Sequence, residues 1–125
     1  MLVIFSGRPL APHVMNYAWP VAAISSITNR ITGGALSVGL SGMGVLSLVG
    51  SDVGAVMASV GNSGVGPLAK FTVAFPLVYH YMGGVRHLVW DFFPETVNNE
   101  QCVTSSYALG GVALVASTGL AFASF

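Results

Sequence analysis

Three long stretches of this chain contain no charged residue, and this pattern restricts the possible folds more than any other feature. Among the uncharged stretches of the chain, these three are residues 31–51, 71–85 and 101–125. A helix that crosses the hydrocarbon core of a membrane needs about 20 mostly apolar residues. The first and third stretches reach that length alone, and the second reaches it when extended to residues 67–90. The sequence therefore predicts an all-α membrane protein.

The composition also indicates that lipid is the main solvent of the chain. Only 6% of the 125 residues are charged and 54% are hydrophobic, whereas about 25% of a typical soluble domain is charged. A formal net charge of zero offers no basic surface to a nucleic acid. The single cysteine, Cys102, excludes an internal disulfide, and also a zinc or iron–sulfur site built from this chain's thiolates alone.

We expect one membrane domain over residues 1–125, without internal repeats. Its three predicted transmembrane helices cover residues 24–49, 67–90 and 103–123, and residues 50–66 form a loop with a short irregular turn. Arg8, Arg30 and Arg86 then lie on one side of the membrane and Lys70 lies on the other. Because positive charges favour the inner side, we expect the N-terminal segment, residues 1–23, on the matrix or cytoplasmic side.

A first polar cluster surrounds the start of the first predicted helix. Ser26 and Arg30 are four residues apart and share a helix face, and Trp19 precedes them. Two hydrogen-bond donors and an aromatic wall suit a lipid-soluble molecule with a carbonyl head group. The alternative is that Arg30 reaches lipid phosphates, Ser26 bonds to the helix backbone and Trp19 anchors the interface.

A second polar cluster lies in the second predicted helix. His80, Gly83, Gly84 and His87 share one face, and the glycines leave a slot for a flat macrocycle. Imidazole is a common axial ligand of haem iron. Arg86 lies about 9 Å further along the axis, which suits a haem propionate at the membrane edge. The alternative is a histidine that is hydrogen-bonded to a neighbouring helix, and a haem would need a second axial ligand from a partner.

Three motifs resemble one family. Residues 8–19 (RPLAPHVMNYAW), 26–33 (SITNRITG) and 79–91 (YHYMGGVRHLVWD) are similar to the patterns RPLSPH, S-x-x-HR-x-[ST]-G and H-x-x-x-G-x-RH-x-x-W-D. These patterns belong to the large cytochrome b membrane-anchor subunit of succinate dehydrogenase, respiratory complex II. Their order and spacing match over nearly the whole chain, and the motif sequences look more like those of mitochondrial members than of bacterial members.

The resemblance implies a complex with a flavoprotein subunit, an iron–sulfur subunit and a second small membrane-anchor subunit that completes the helical bundle. Electrons from succinate then pass through flavin and iron–sulfur clusters to ubiquinone. The location that it implies is the mitochondrial inner membrane, with a bacterial cytoplasmic membrane as the alternative.

The resemblance also implies roles for individual residues. Trp19, Ser26 and Arg30 correspond to family residues that line the ubiquinone pocket. His80 corresponds to an axial ligand of the haem b iron, and the other ligand comes from the second anchor subunit.

The chain departs from the family at Asn29, where the family has a histidine near the haem propionates. Asparagine can still donate a hydrogen bond, but it cannot carry a charge. We therefore expect Asn29, Arg86 and His87 to lie around the propionates.

Two other functions compete with a quinone-reducing anchor. A purely structural membrane anchor would contact neither haem nor quinone directly. A transporter subunit is disfavoured, because all four acidic residues lie in predicted loops or at helix ends and three helices are few to enclose a path.

Overall fold

The computed structural model describes residues 18–123, which contain no β-strand. The α-helices are α1 (Val21–Leu48), α2 (Val53–Gly61), α3 (Gly66–Phe92) and α4 (Asn99–Phe122), and a 3₁₀ turn over Pro94–Thr96 precedes α4. The expected all-α class is confirmed for the described residues. Residues 1–17, which include Arg8 and most of the predicted N-terminal segment, lie outside them.

Local chemistry sets both ends of α1. Pro20 has an extended ψ of 150°, and its carbonyl accepts a hydrogen bond from the Ala23 N–H at 3.0 Å. The helix ends before Gly50, whose φ of +82° favours glycine. The Ser51 N–H then donates to the Leu46 carbonyl at 3.1 Å, which closes a Schellman motif.

Helix α2 occupies most of the predicted first loop, where we expected no helix, and a short turn over residues 62–65 follows it. The side chain of Asp52 caps the helix, because its Oδ1 accepts from the Ala55 N–H at 3.0 Å. Such a cap satisfies one of the unpaired N–H groups of the first turn. The apolar run that follows Asp52 then continues as a helix up to Gly61.

Helix α4 begins four residues earlier than expected, also because of a cap. Asn98 Oδ1 accepts from the Gln101 N–H at 2.8 Å, and Glu100 lies in the first turn. A negative charge in the first turn is stabilised by the helix dipole. The polar residues that were assigned to the loop therefore form the first turn of α4.

Helix α3 packs between the other helices. Every fourth residue along one face of α4 is buried: Leu109, Ala113, Ser117 and Ala121. Small residues on this stripe let α3 approach closely, as is common in membrane helix pairs. Lys70, near the start of α3, donates to the Ala123 carbonyl at the end of α4 at 3.2 Å, so the two helices are antiparallel.

Two of the described helices, α1 and α4, are long and apolar enough to cross a membrane by length and composition. Only 6% of the apolar window of α1 is buried, so this helix presents apolar side chains on nearly all sides. Helix α3 has 27 residues, but its charged residues and histidines lower its mean hydropathy. A third span over residues 67–90 is therefore not confirmed.

Candidate functional site

The ring of His80 lies between α3 and α1. His80 Nδ1 is 2.9 Å from the Asn29 carbonyl oxygen. A Cβ added at Gly33, one turn further along α1, would be 2.6 Å from His80 Cε1. The side chain is otherwise exposed on the surface of the chain. The backbone of α1 therefore fixes the ring, and one ring face remains open.

The hydrogen bond to Asn29 decides which ring nitrogen is protonated. A carbonyl oxygen can only accept, so Nδ1 must donate its hydrogen to it. In the neutral ring Nε2 then carries the free lone pair, and a neutral imidazole nitrogen with a free lone pair can bind a metal. Metal-binding histidines commonly donate their second ring N–H to a carbonyl in this way.

The Asn29 side chain fills the space beside Gly83. A Cβ added at Gly83 would collide with Asn29 Oδ1 and would be 2.9 Å from its Cγ. Asn29 Oδ1 is buried and accepts no hydrogen bond from the described residues. The corresponding space at Gly84 is open among the described residues. Since Asn29 covers Gly83, only the part of the predicted slot at Gly84 remains for a flat ligand.

The side chain of Arg86 turns into the bundle and joins three helices. Its Nη2 donates to Ser25 Oγ on α1 at 3.2 Å, and its Nη1 donates to Ser106 Oγ on α4 at 3.0 Å. Tyr79 Oη donates to the same Ser25 Oγ at 3.0 Å. We call Ser25, Tyr79, Arg86 and Ser106 the Ser25 cluster.

Sequence reasoning identified Arg86 in this cluster, but it missed the other three members. Tyr79 and Arg86 are seven residues apart and share a face of α3, which was the available signal. Nothing in the sequence distinguished Ser25 from its neighbour Ser26, or Ser106 from Ser105.

Ser26 and Arg30 lie one turn apart on α1, as expected. Ser26 is half-buried and Arg30 is exposed. Within residues 18–123, neither side chain forms a hydrogen bond to another group. Trp19 lies just before α1 with 53% of its surface exposed. The structure therefore leaves the donors of Ser26 and Arg30 available, while Trp19 lies at the same end of the helix.

His87 is exposed on α3 and contacts Trp90. The two rings meet edge to face, with centroids 5.5 Å apart. Arg86 Cζ lies 4.7 Å from the centroid of Trp90. His87 and Arg86 thus lie close to the same indole, two turns beyond His80 along α3.

A separate apolar cleft of about 400 Å³ lies at the other end of the bundle. Helices α2 and α3 form its walls, with Val60 and Leu77 among its lining residues, and Lys70 also borders it. None of the residues that the sequence indicated for haem or quinone lines this cleft.

Comparison with known proteins decides the family. The model of the family described as succinate dehydrogenase/fumarate reductase transmembrane subunit matches residues 6–120. The chain belongs to this family. The resemblance that the three motifs indicated is therefore confirmed.

Relatives within the family include mitochondrial and bacterial proteins. The human mitochondrial succinate dehydrogenase cytochrome b560 subunit is 44% identical over 94 residues, which cover 70% of this chain and 55% of the human protein. The Dictyostelium discoideum b560 subunit is 34% identical over 121 residues, covering 94% of this chain and 63% of the relative.

The bacterial relative matches over nearly its whole length. The succinate dehydrogenase cytochrome b556 subunit of Paracoccus denitrificans is 36% identical over 121 residues, covering 93% of this chain and 92% of the relative. The family membership thus agrees with the long apolar helices α1 and α4. The names of these relatives describe them as cytochromes of succinate dehydrogenase.

Proposed function

We propose that this chain is the membrane-anchor cytochrome b subunit of a succinate:ubiquinone oxidoreductase. It anchors a flavoprotein and an iron–sulfur subunit to the membrane, and it contributes to the ubiquinone site and to the binding of haem b. The observation that carries this proposal is the geometry of His80, whose Nδ1 is 2.9 Å from a backbone carbonyl. This bond leaves Nε2 for a ligand on the exposed side of the ring.

The residues around His80 fit a haem b. His80 Nε2 would bind the iron, and the lack of a Cβ at Gly33 leaves room for the imidazole ring beside α1. When bound, the haem would accept and donate one electron at a time. A second residue that binds the iron would come from the second small anchor subunit, because His87, the other histidine among residues 18–123, lies two turns away from His80 along α3. The exposed side of His80 would then form part of the interface between the two anchors.

Three residues are available for the haem propionates. Arg86 has no carboxylate partner among residues 18–123, so its charge can pair with an anion. His87 lies next to it and is exposed. The amide of Asn29 can donate a neutral hydrogen bond where the family has histidine.

Ser26 and Arg30 would hold the ubiquinone head group. Both side chains are donors that the described residues leave unused. A hydroxyl and a guanidinium that point at a quinone carbonyl stabilise the negative charge that develops on its oxygen during reduction. Trp19 would form the wall of this pocket at the membrane edge.

The same contacts support an arrangement of the chain in the membrane. Helix α3 would be the middle of three spans, since it has 27 residues and runs antiparallel to α1 and α4. Arg86 bonds to Ser25 near the start of α1, so Arg30 and Arg86 lie at one end of the bundle and Lys70 at the other. The positive end would face the matrix of the mitochondrion, or the cytoplasm in a bacterial setting.

The test uses the assembled complex, purified through this chain in mild detergent. His80→Leu should remove most of the haem per complex, whereas His87→Leu, which removes only a propionate contact, should keep the iron ligand and lose less haem. Succinate oxidation by an artificial acceptor reports whether the soluble subunits are present and active. If an assembled His80→Leu complex kept its full haem content, His80 would not be the ligand.

A further inference from the structure

The Ser25 cluster places a positive charge inside the bundle without a negative partner among residues 18–123. Ser25, Tyr79 and Ser106 are 4%, 5% and 5% exposed, and Arg86 Nε is buried without a hydrogen-bond partner among the described residues. A buried cation is costly unless it is paired. The long side chain of Arg86 could instead have extended to the surface of the bundle, where the side chain of Arg30 is exposed. Its inward direction therefore calls for a structural reason.

The contacts of Ser25 supply that reason. Its hydroxyl oxygen accepts from Arg86 at 3.2 Å and from Tyr79 at 3.0 Å. Both donors belong to α3 and lie two turns apart on one face. Two bonds from one helix to a single oxygen restrict both the rotation and the height of α1 at Ser25.

The position of Ser25 matters because of its neighbours. Ser26 is the next residue, and Arg30 lies one turn beyond it on the same helix. A small rotation of α1 at Ser25 would move both quinone donors by a similar angle. Because hydrogen bonds weaken steeply with poor alignment, this rotation would weaken their bonds to a quinone carbonyl.

We propose that Arg86 is a positioning residue for the quinone site, and that it acts through Ser25. This inference rests on the proposed function, since it takes Ser26 and Arg30 as quinone donors. Ser106 holds the other arm of the guanidinium at 3.0 Å, so α4 helps to orient Arg86 toward Ser25. The quinone site is thereby supported from all three long helices.

The experiment measures KM and kcat for a short-chain ubiquinone in the assembled complex. Ser25→Ala and Arg86→Gln should each raise KM by roughly threefold to tenfold, the effect expected from one interhelical hydrogen bond in a membrane bundle. For Ser25→Ala, whose side chain contacts neither haem nor quinone in this proposal, the kcat and the rate with an artificial acceptor should change little. Ser105→Ala is the matched control, because Ser105 Oγ lies 3.5 Å from Arg86 Nη1, at the limit of a hydrogen bond.

A double variant separates action through Ser25 from a general loss of packing. If Arg86 acts through Ser25, the KM of the double variant Ser25→Ala/Arg86→Gln should equal the higher of the two single-variant KM values. Arg86→Lys, which keeps a donor, should restore part of the loss. Independent effects that multiply in the double variant would overturn the proposal, and so would a Ser105→Ala variant as impaired as Ser25→Ala.

Two further variants keep the result interpretable. If Arg86→Gln does not assemble, Ser25→Ala and Tyr79→Phe test the same bonds without removing a charge. If Ser26→Ala raises KM and Ser25→Ala does not, the positioning role is wrong and the quinone site stands. If all of these variants leave KM unchanged, the quinone site is wrong as well.

Discussion

His80 lies against the backbone of α1 at Gly33, where an added Cβ would be 2.6 Å from Cε1 and 3.0 Å from Nδ1 of the ring. The same ring is oriented by a hydrogen bond from its Nδ1 to the Asn29 carbonyl oxygen, 2.9 Å away. Both contacts involve backbone atoms of α1. The orientation of His80 therefore depends on glycine at residue 33 and on the helical geometry of residues 29–33.

Gly33→Ala should displace His80, because a methyl group cannot occupy a space 2.6 Å from Cε1. Loss of a group that orients a metal ligand typically lowers metal affinity by about tenfold or more. The measurement is the haem retained by the purified complex after dilution. Gly34→Ala is the control, since an added Cβ there meets no atom of the described residues within 4 Å. Equal haem retention in both variants would contradict this dependence.

Arg30→Ala should lower succinate–quinone activity by about a hundredfold, as expected when a donor to a developing negative charge is removed. Ser26→Ala should lower it in the same direction. Succinate oxidation by an artificial acceptor should persist, because it does not use this site. Thr28→Ala serves as the control, since Thr28 Oγ1 bonds within its own helix to the Ile24 carbonyl at 2.9 Å.

The competing view, a purely structural anchor, gives a different result in the same assay. Arg30→Ala and Ser26→Ala would then be as silent as Thr28→Ala. A silent Arg30→Ala in an assembled complex would favour that view over the quinone site.

Ser117 offers a test of the packing between α3 and α4. It is fully buried at 0% exposure, and its hydroxyl has no partner among residues 18–123. Ser117→Ala removes an unsatisfied group, so the stability of the complex should stay equal or rise by about 1 kcal/mol. Ser106→Ala, which removes a bond to Arg86, should lower it by about 1 kcal/mol. Thermal unfolding in detergent compares the two, and a larger loss for Ser117→Ala would contradict this packing.

Asp52→Ala should weaken helix α2 alone. The lost cap on the Ala55 N–H, at 3.0 Å from Oδ1, is worth about 1 kcal/mol. Hydrogen exchange of the amides in Val53–Gly61 should accelerate roughly fivefold, and the exchange of α3 should not change. Ser51→Ala is the control, and equal exchange in both variants would exclude the capping role of Asp52.

The charge pattern predicted the long helices because membrane thickness sets a length that few other structures need. It predicted α3 to within two residues at its end, since polar residues mark where an apolar run stops. The caps at Asp52 and Asn98 were present in the sequence, but the polar composition of these segments was interpreted as loop. Both caps are short-range signals, whereas the predicted spans were placed from the apolar stretches alone.

The contacts of His80 and Arg86 could not be predicted in this way. Helix α1 is apolar on nearly all sides, so its sequence does not indicate which face meets α3. The rotation of α1 decides whether Ser25 or Ser26 faces Arg86, and it also brings the Asn29 carbonyl to His80. These relations appear only once the three helices are packed together.

The proposed function requires that His80 binds a haem in the assembled complex. The most direct test is the dithionite-reduced minus oxidised optical spectrum of the complex purified through this chain in mild detergent. We expect a b-type haem signal, which would show that Asn29 is compatible with haem binding. An intact, quinone-reducing complex without a haem signal would contradict it and would leave His80 as a histidine that is hydrogen-bonded to α1.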